Sequence, residues 1–492
     1  MTNALTNTSA AKASDQATRS RWWALIVIAL AQLMIVLDTT IVTVALPSTQ
    51  QSLGMSDASR QWVVSAYTLA FGGLLLFGGR IADLVGRKRT LLTGILGFAL
   101  ASIVGGAAAN GGMLIGSRAA QGVFAAILAP STMSLLVTTF TDQRERAKAF
   151  GIFSAVLISG GAVGLVVGGL FTEYLNWRWC LYVNVPIALV AAGGTVALLP
   201  PQPGQNSGRL DVGGVITGGG GLAALVFGFG KAAQDGWGSA SVVGPLASAA
   251  VLLSAFVILQ RRVRNPLLPL RLLKNGNRVG ALLAVALNFV GTFGMFLFIT
   301  YQLQSVMHYS PAKAGVAFLP LMAMSAVTAT QIVARLLPKV QARLLVGPGL
   351  LVSACGMFLL SFLTVDSSYS TYILPAEILV GLGSGAVMSP CMNAATRGID
   401  PGDAGVVSAS ISTSQQIGAA IGTALLNTIA TGVTATYIEH HNATSQVEAN
   451  VQGYREACTW AAGILVTAAI LALTLIRTKP SPAIADHPAT RQ

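Results

Sequence analysis

Apolar residues in this chain come in blocks of about twenty, separated by short polar and basic connectors. A helix crossing a bilayer needs about 20 such residues. Runs of that kind fall at 22–46, 62–80, 90–109, 112–138, 147–171, 179–199, 211–231, 242–260, 279–302, 313–334, 344–364, 372–394, 404–430 and 457–476. The pattern predicts fourteen membrane-spanning helices, the seventh and eighth glycine-rich and the least regular. The connectors give an independent signal. With the N-terminus in the cytoplasm, the inner loops hold most of the basic residues, among them Arg21, Arg80, Arg87, Lys88, Arg89, Arg261, Arg262, Arg278, Arg343 and Arg477. The outer loops hold only Arg60, Arg178, Lys231, Lys313 and Arg455. That is the positive-inside asymmetry. With an even number of spans it predicts both termini in the cytoplasm and a multi-pass protein of the plasma (inner) membrane.

Composition agrees. Of 492 residues 53% are hydrophobic and 10% charged, too few charges for a soluble domain, and 54 glycines let helices approach closely. The net charge of +13 resides in the connectors, which argues against a nucleic-acid partner. Cys180, Cys355, Cys391 and Cys458 lack metal or redox spacing and read as packing residues. The Ala/Thr/Ser-rich residues 1–21 read as a disordered tail, and the run after Trp23 as an uncleaved first helix. A weak internal repeat pairs Arg118 through Pro130 with Glu377 through Pro390, and the glycines at 160, 164 and 168 with those at 418 and 422. It suggests two six-helix halves, 22–200 and 276–478, around an inserted helix pair and basic linker, 201–275, with a tail at 479–492.

Three charges interrupt the apolar blocks. Asp38 lies eight residues before the outer end of its run, roughly 12 Å deep; Arg118 and Glu377 lie roughly 8–9 Å inside theirs. Placing an acid there costs roughly 2.5–3.5 kcal/mol, so such residues face a cavity or a partner and mark ion or proton paths. The expectation is a cavity lined by spans one, four and twelve, with Arg118 beside Asp38 and Glu377 nearer the interface. Residue type and depth do not choose between a proton-carrying acid and a structural Asp–Arg pair. None of the four histidines falls in a predicted span, so a proton relay would use carboxylates. Gln121, Asn288, Thr292, Gln415 and Gln416 are the candidate polar residues of a substrate cavity. Phe289, Phe293, Met295 and Phe296 offer an apolar wall or ordinary core.

In the loop after the second run, Gly79-x-x-x-Asp83-x-x-Gly86-Arg87-Lys88 resembles the loop signature of the major facilitator superfamily, which implies a cytoplasmic gate formed by these residues. Leu84 stands where the family often has a basic residue. Leu114-x-x-x-Arg118-x-x-Gln121-Gly122 is similar to the family motif whose Arg serves proton transfer. Gly160, Gly164, Gly168 and Gly169 resemble the antiporter motif, with Leu165 in place of its usual Pro. The opening Leu37–Pro47 stretch, with Thr43 for a frequent Asn, Trp177-Arg178-Trp179 through Asn184-Val185-Pro186, and Gln415-Gln416-Ile417-Gly418 look like the fourteen-helix drug:proton antiporter branch. The resemblance implies an all-α transporter that exports drugs or other small organic compounds by alternating access, driven by the proton gradient and using no other cofactor. Its proton coupling would rest on Asp38, Arg118 and Glu377, and its helix packing on the four glycines. The substrate would be hydrophobic or cationic; no segment names an accessory partner. A dedicated exporter of one metabolite or a symporter fits the same features. A membrane enzyme or a sensor fits less well, since neither a catalytic constellation nor a signalling domain is visible.

Overall fold

No water reaches the hydrocarbon core to satisfy backbone N–H and C=O groups, so apolar blocks of this length fold as helices that bond internally. A computed structural model describes residues 2–140, 143–201, 211–263, 266–337, 339–397, 404–441 and 446–477, and it is helical throughout, with no strand among them. The tail at 479–492 and the connector at 202–210 lie outside the described residues.

The chain forms two compact units. The first runs to Gly219 and adds the segments Val263–Leu267 and Tyr309–Val316. It holds α1 (Thr2–Leu53), α2 (Asp57–Val85), α3 (Arg87–Gly106), α4 (Gly111–Thr139), α5 (Gln143–Tyr174), the single turn α6 (Trp179–Tyr182), α7 (Asn184–Leu198) and the start of α8 (Val212–Asp235). Leu25, Ile28 and Met34 of α1, Tyr67 and Phe71 of α2, Phe98 of α3, Leu128 of α4 and Phe153 of α5 are buried in one core. The second unit contains the rest of α8, α9 (Ala240–Arg262), α10 (Gly276–Tyr301), the last residue of α11 (Pro311–Ala317) and α12 (Leu319–Val327). It continues through α13 (Ala334–Leu336), α14 (Arg343–Leu360), α15 (Leu374–Gly385), α16 (Met388–Thr396), α17 (Ala404–His441) and α18 (Gln446–Leu475). Three π-helical turns, Gln302–Val306, Thr328–Val333 and Tyr369–Ile373, interrupt its helices.

Twelve helices among the described residues are long and apolar enough to cross a membrane. That number corrects the fourteen-span architecture. The two runs outside the twelve, 62–80 and 147–171, lie in α2 and α5. Both are helical, and neither is among the twelve. Several side chains of each also lie outside the description.

Two boundaries differ from the pattern in ways that matter for chemistry. α1 does not stop near Pro47 but runs through it to Leu53. Its membrane-spanning part, Arg21–Leu53, therefore places Asp38 near the midpoint, roughly 22 Å from the C-terminal end rather than 12 Å. A proline removes one backbone donor, yet flanking hydroxyls that bond to backbone carbonyls let a membrane helix tolerate it. Thr43 and Thr49 bond through Oγ1 to the carbonyls of Thr39 and Ala45, neither of which is the Thr43 carbonyl that Pro47 leaves without its helical donor. Likewise α17 continues to His441, so His440 closes a candidate span, and most of the connector between the last two apolar runs, 431–456, is helix.

Candidate functional site

The glycines of α5 explain how Asp38 is held. A Cβ at Gly164 would strike Thr40 Oγ1 and lie 3.1 Å from the Leu37 carbonyl; one at Gly168 would lie 2.8 Å from the Ile41 carbonyl; one at Gly160 would strike Leu33. Only glycine allows α5 to lie directly on the backbone of the α1 turns that flank Asp38. Gly169 plays the same part on another surface, where a Cβ would lie 2.6 Å from Ala312 Cα.

Asp38 itself is fully buried (0% exposed), as are Gln121, Ser102, Asn184 and Tyr67, and Arg118 is 2% exposed. Arg118 Nη1 donates to Asp38 Oδ2 at 2.5 Å and to Gln121 Oε1 at 2.7 Å, and its Nε donates to the Val63 carbonyl at 3.2 Å. The guanidinium lies 4.3 Å from the centre of the Tyr67 ring, a cation–π contact. Gln121 Nε2 donates to Asp38 Oδ1 at 2.9 Å and to Ser102 Oγ at 2.8 Å. Asn184 Nδ2 donates to Asp38 Oδ1 at 2.8 Å. Thus α1, α2, α3, α4 and α7 all contribute to one acid, which receives donors from three side chains. A buried charge persists when paired and hydrogen-bonded in this way.

Of the residues singled out by sequence, Asp38, Arg118 and Gln121 converge, Gln121 as a direct partner of the acid. Asn184, Ser102 and Tyr67 complete the cluster. Asn184 stands in the motif that runs from Trp177 to Pro186, without a role assigned to it, whereas Ser102 and Tyr67 carry no signal. Asn184 is the first residue of α7, after the break at Val183. Just past the pair, Val42, Ala45, Thr49, Val63, Leu114, Trp177, Cys180 and Leu181 line a cavity of about 10 Å³, close to the room one water needs.

Glu377 is not part of this cluster. It lies in the second unit and is fully buried (0% exposed). The Tyr369 hydroxyl is 3.2 Å from its Oε2, and Oε1 has no hydrogen-bond partner. Asn288 is buried with its Oδ1 unpartnered, while Thr292 bonds to the Asn288 carbonyl at 2.9 Å. Gln415 Nε2 lies 3.4 Å from Met388 Sδ, and Gln416 is half-buried. Met295 is buried; Phe289, Phe293, Phe296 and Phe318 form a ladder with centroids 5.9, 6.4 and 5.1 Å apart.

In the loop signature, Gly86 has φ +102°, a conformation that favours glycine, and turns α2 directly into α3. Gly79 packs on Pro130, with a Cβ 3.6 Å from that ring. Lys88 Nζ donates to the carbonyls of Val196 (3.0 Å) and Leu199 (2.5 Å), capping the C-terminal end of α7. Arg87 is half-buried, and the side chain of Asp83 lies outside the described residues.

A family model, the Major Facilitator Superfamily, matches residues 28–423. The chain belongs to the major facilitator superfamily. Its narrower placement in the fourteen-helix branch is not retained, since twelve candidate spans are found among the described residues. Within the superfamily it is 50% identical over 467 residues to the puromycin resistance protein pur8 of Streptomyces alboniger, covering 94% of this chain and 93% of that protein. It is 40% identical over 409 residues to the cephamycin export protein CmcT of Amycolatopsis lactamdurans, covering 82% and 84%. A bacterial homologue of the human lysosomal transporter Spinster, solved in an inward-facing, occupied conformation, shares the fold with a TM-score of 0.67 at 17% identity, over 94% of this chain and 99% of that one. Among the described residues, no three His, Cys, Asp or Glu side chains converge as metal ligands.

Proposed function

We propose that this membrane transporter exports small organic compounds of the antibiotic class in exchange for protons, with Asp38 as the acid that binds the proton. The observation that carries the reading is the buried Asp38–Arg118–Gln121–Asn184 cluster near the midpoint of α1. An ionisable residue at that depth is retained for function far more often than for stability. The kinship with proteins named for puromycin resistance and cephamycin export supports the cargo class.

The chemistry follows from the bonds. A proton on Asp38 removes the charge that Arg118 pairs with and leaves the carboxyl a weaker acceptor for the guanidinium and amide donors aimed at it. The contacts that join α1 to α4 and α7 weaken together, and the transporter is free to change conformation. Loss of the proton restores them. Gly160, Gly164 and Gly168 keep α5 against α1, and Gly169 keeps it against Ala312, limiting leak. Gly79, Asp83, Gly86, Arg87 and Lys88 form the gate on the face that the basic residues mark as cytoplasmic. Asn288, Thr292, Gln415, Gln416 and the phenylalanine ladder of α10 line the path of the cargo.

Ethidium and puromycin uptake into inside-out vesicles under an imposed pH gradient, acid inside, tests this. The wild type transports when the gradient is imposed and stops when nigericin collapses it. Asp38→Asn loses gradient-driven transport by at least tenfold while still binding substrate. Full gradient-driven transport in Asp38→Asn would overturn the assignment.

A further inference from the structure

Glu377 and Tyr369 present a proton-counting problem that the Asp38 cluster does not solve. The Tyr369 hydroxyl lies 2.8 Å from the Ala317 carbonyl and 3.2 Å from Glu377 Oε2, with both acceptors in hydrogen-bond range. A hydroxyl has one proton and cannot donate to both. If Tyr369 donates to Ala317, the contact with Glu377 is a hydrogen bond only when the carboxyl supplies the proton. The other oxygen, Oε1, has no partner, and the residue is wholly buried. Burying an ionised carboxylate without a cation or further donors is prohibitively costly.

Among the described residues of the elements packed against it, no cation relieves it. Packed against α15 are α10, α12, α14, α16 and the turns Thr328–Val333 and Tyr369–Ile373. Their described titratable side chains are Arg278 and Tyr301 on α10, Arg343 and Cys355 on α14, Cys391 on α16, and Tyr369 and Tyr372 on the π turn. Of these, Tyr369 is the one that bonds to Glu377. Arg278 is engaged with the Ala395 carbonyl. Arg343 lies 13 residues, roughly 20 Å, from Gly356, where α14 meets the Ala376 carbonyl.

We propose that Glu377 is a second proton-binding site, occupied in this conformation, and that its proton switches the Tyr369 hydroxyl between two acceptors. With Glu377 protonated, its O–H donates to Tyr369 Oη and the Tyr369 O–H donates to the Ala317 carbonyl. When the proton leaves to water, the tyrosine O–H turns to the carboxylate and Ala317 loses its donor. The position gives this consequence. Ala317 is the last residue of α11, just before the break at Phe318, and it is where the chain leaves the Tyr309–Val316 segment of the first unit for the second. A helix end leaves its last carbonyls without internal partners, so the tyrosine tether matters there. The tether sits on a π-helical turn, a distortion that recurs at functional sites. The proposal deepens the proton-exchange reading and rests on it.

Infrared difference spectroscopy of the purified protein in lipid, stepped between acidic and alkaline pH, tests it directly. The wild type shows a carboxylic-acid C=O band at neutral pH that Glu377→Gln lacks, and Tyr369→Phe keeps the band but moves it towards the frequency of an unbonded acid. Hydrogen exchange at amides 317–321, corrected for intrinsic rates, rises at least threefold from neutral to alkaline pH in the wild type and is unchanged by pH in Tyr369→Phe. Identical spectra for the wild type and Glu377→Gln, or pH-independent exchange in the wild type, would overturn the switch. The ethidium assay keeps the two readings apart. A wild type that ignores the pH gradient overturns proton exchange, whereas normal exchange with a silent Glu377 overturns this inference alone.

Discussion

At the scale of single residues, the Asp38–Arg118 pair gives the sharpest expectation because each partner exists for the other. Arg118→Ala leaves a buried carboxylate facing two amides, a loss of about 3–5 kcal/mol by comparison with other broken buried pairs. The melting temperature in detergent falls accordingly. Adding Asp38→Asn to Arg118→Gln removes both charges and recovers most of that loss but not gradient-driven transport, which separates the pair's structural part from its chemical one. Asn184→Ala costs less, about 0.6–1.7 kcal/mol, the range of single hydrogen bonds within membrane proteins. A double variant no more stable than Arg118→Ala would show that the residual polar atoms, not the unpaired charge, dominate. Sequence made the pair legible because a charge in an apolar run has few explanations and depth matched the two. It did not reveal that Asn184, though part of a motif, or Ser102 joins the pair, because neutral polar residues are common in membrane helices and only the fold shows which of them meet. Nor did it reveal how deeply Glu377 is buried, since its distance from a helix start says nothing about what covers it.

At the scale of elements, the contact between α1 and α5 is set by backbone approach. Gly168→Ala puts a methyl 2.8 Å from the Ile41 carbonyl and 3.0 Å from its Cα, and helix backbones cannot yield as a flexible side chain can. Such overpacking costs about 1–3 kcal/mol, read as a lower melting temperature and poorer yield of folded protein. Gly463→Ala on α18, where a Cβ meets nothing within 4 Å, is the control. It is neutral or stabilising by up to about 1 kcal/mol, because alanine favours helix. Equal losses from both would mean that helix propensity, not contact, governs these positions. The i, i+4 glycine spacing made a packing face visible in the sequence, but not the partner, which a periodic pattern cannot name. Hydropathy located the blocks and missed where they end. The run through Pro47 and the extension of α17 to His441 depend on hydrogen bonds and packing that a count of apolar residues ignores. The fourteen-span total gave way to the twelve candidate spans found among the described residues.

For the whole molecule, the net charge moved per cycle follows from how many acids carry protons, and it is measurable without knowing the natural cargo. Ethidium is a monovalent cation. Exchanged outward for one proton, it moves no net charge, and its steady gradient answers only to pH: one unit supplies about 1.4 kcal/mol, or roughly a tenfold concentration ratio. Clamping the membrane potential with valinomycin and potassium then leaves the ratio unchanged. If two protons are exchanged, one positive charge enters per cycle, and 100 mV adds about 2.3 kcal/mol, so the same clamp alters the ratio by more than tenfold. With Asp38 as the coupling acid, the expected result is a ratio that follows the pH gradient tenfold per unit and is insensitive to the clamp. Sensitivity to the clamp that disappears in Glu377→Gln would instead place the second acid in the transport stoichiometry. The proton at Glu377 would then cross the membrane with each cycle rather than only set the tether at Ala317.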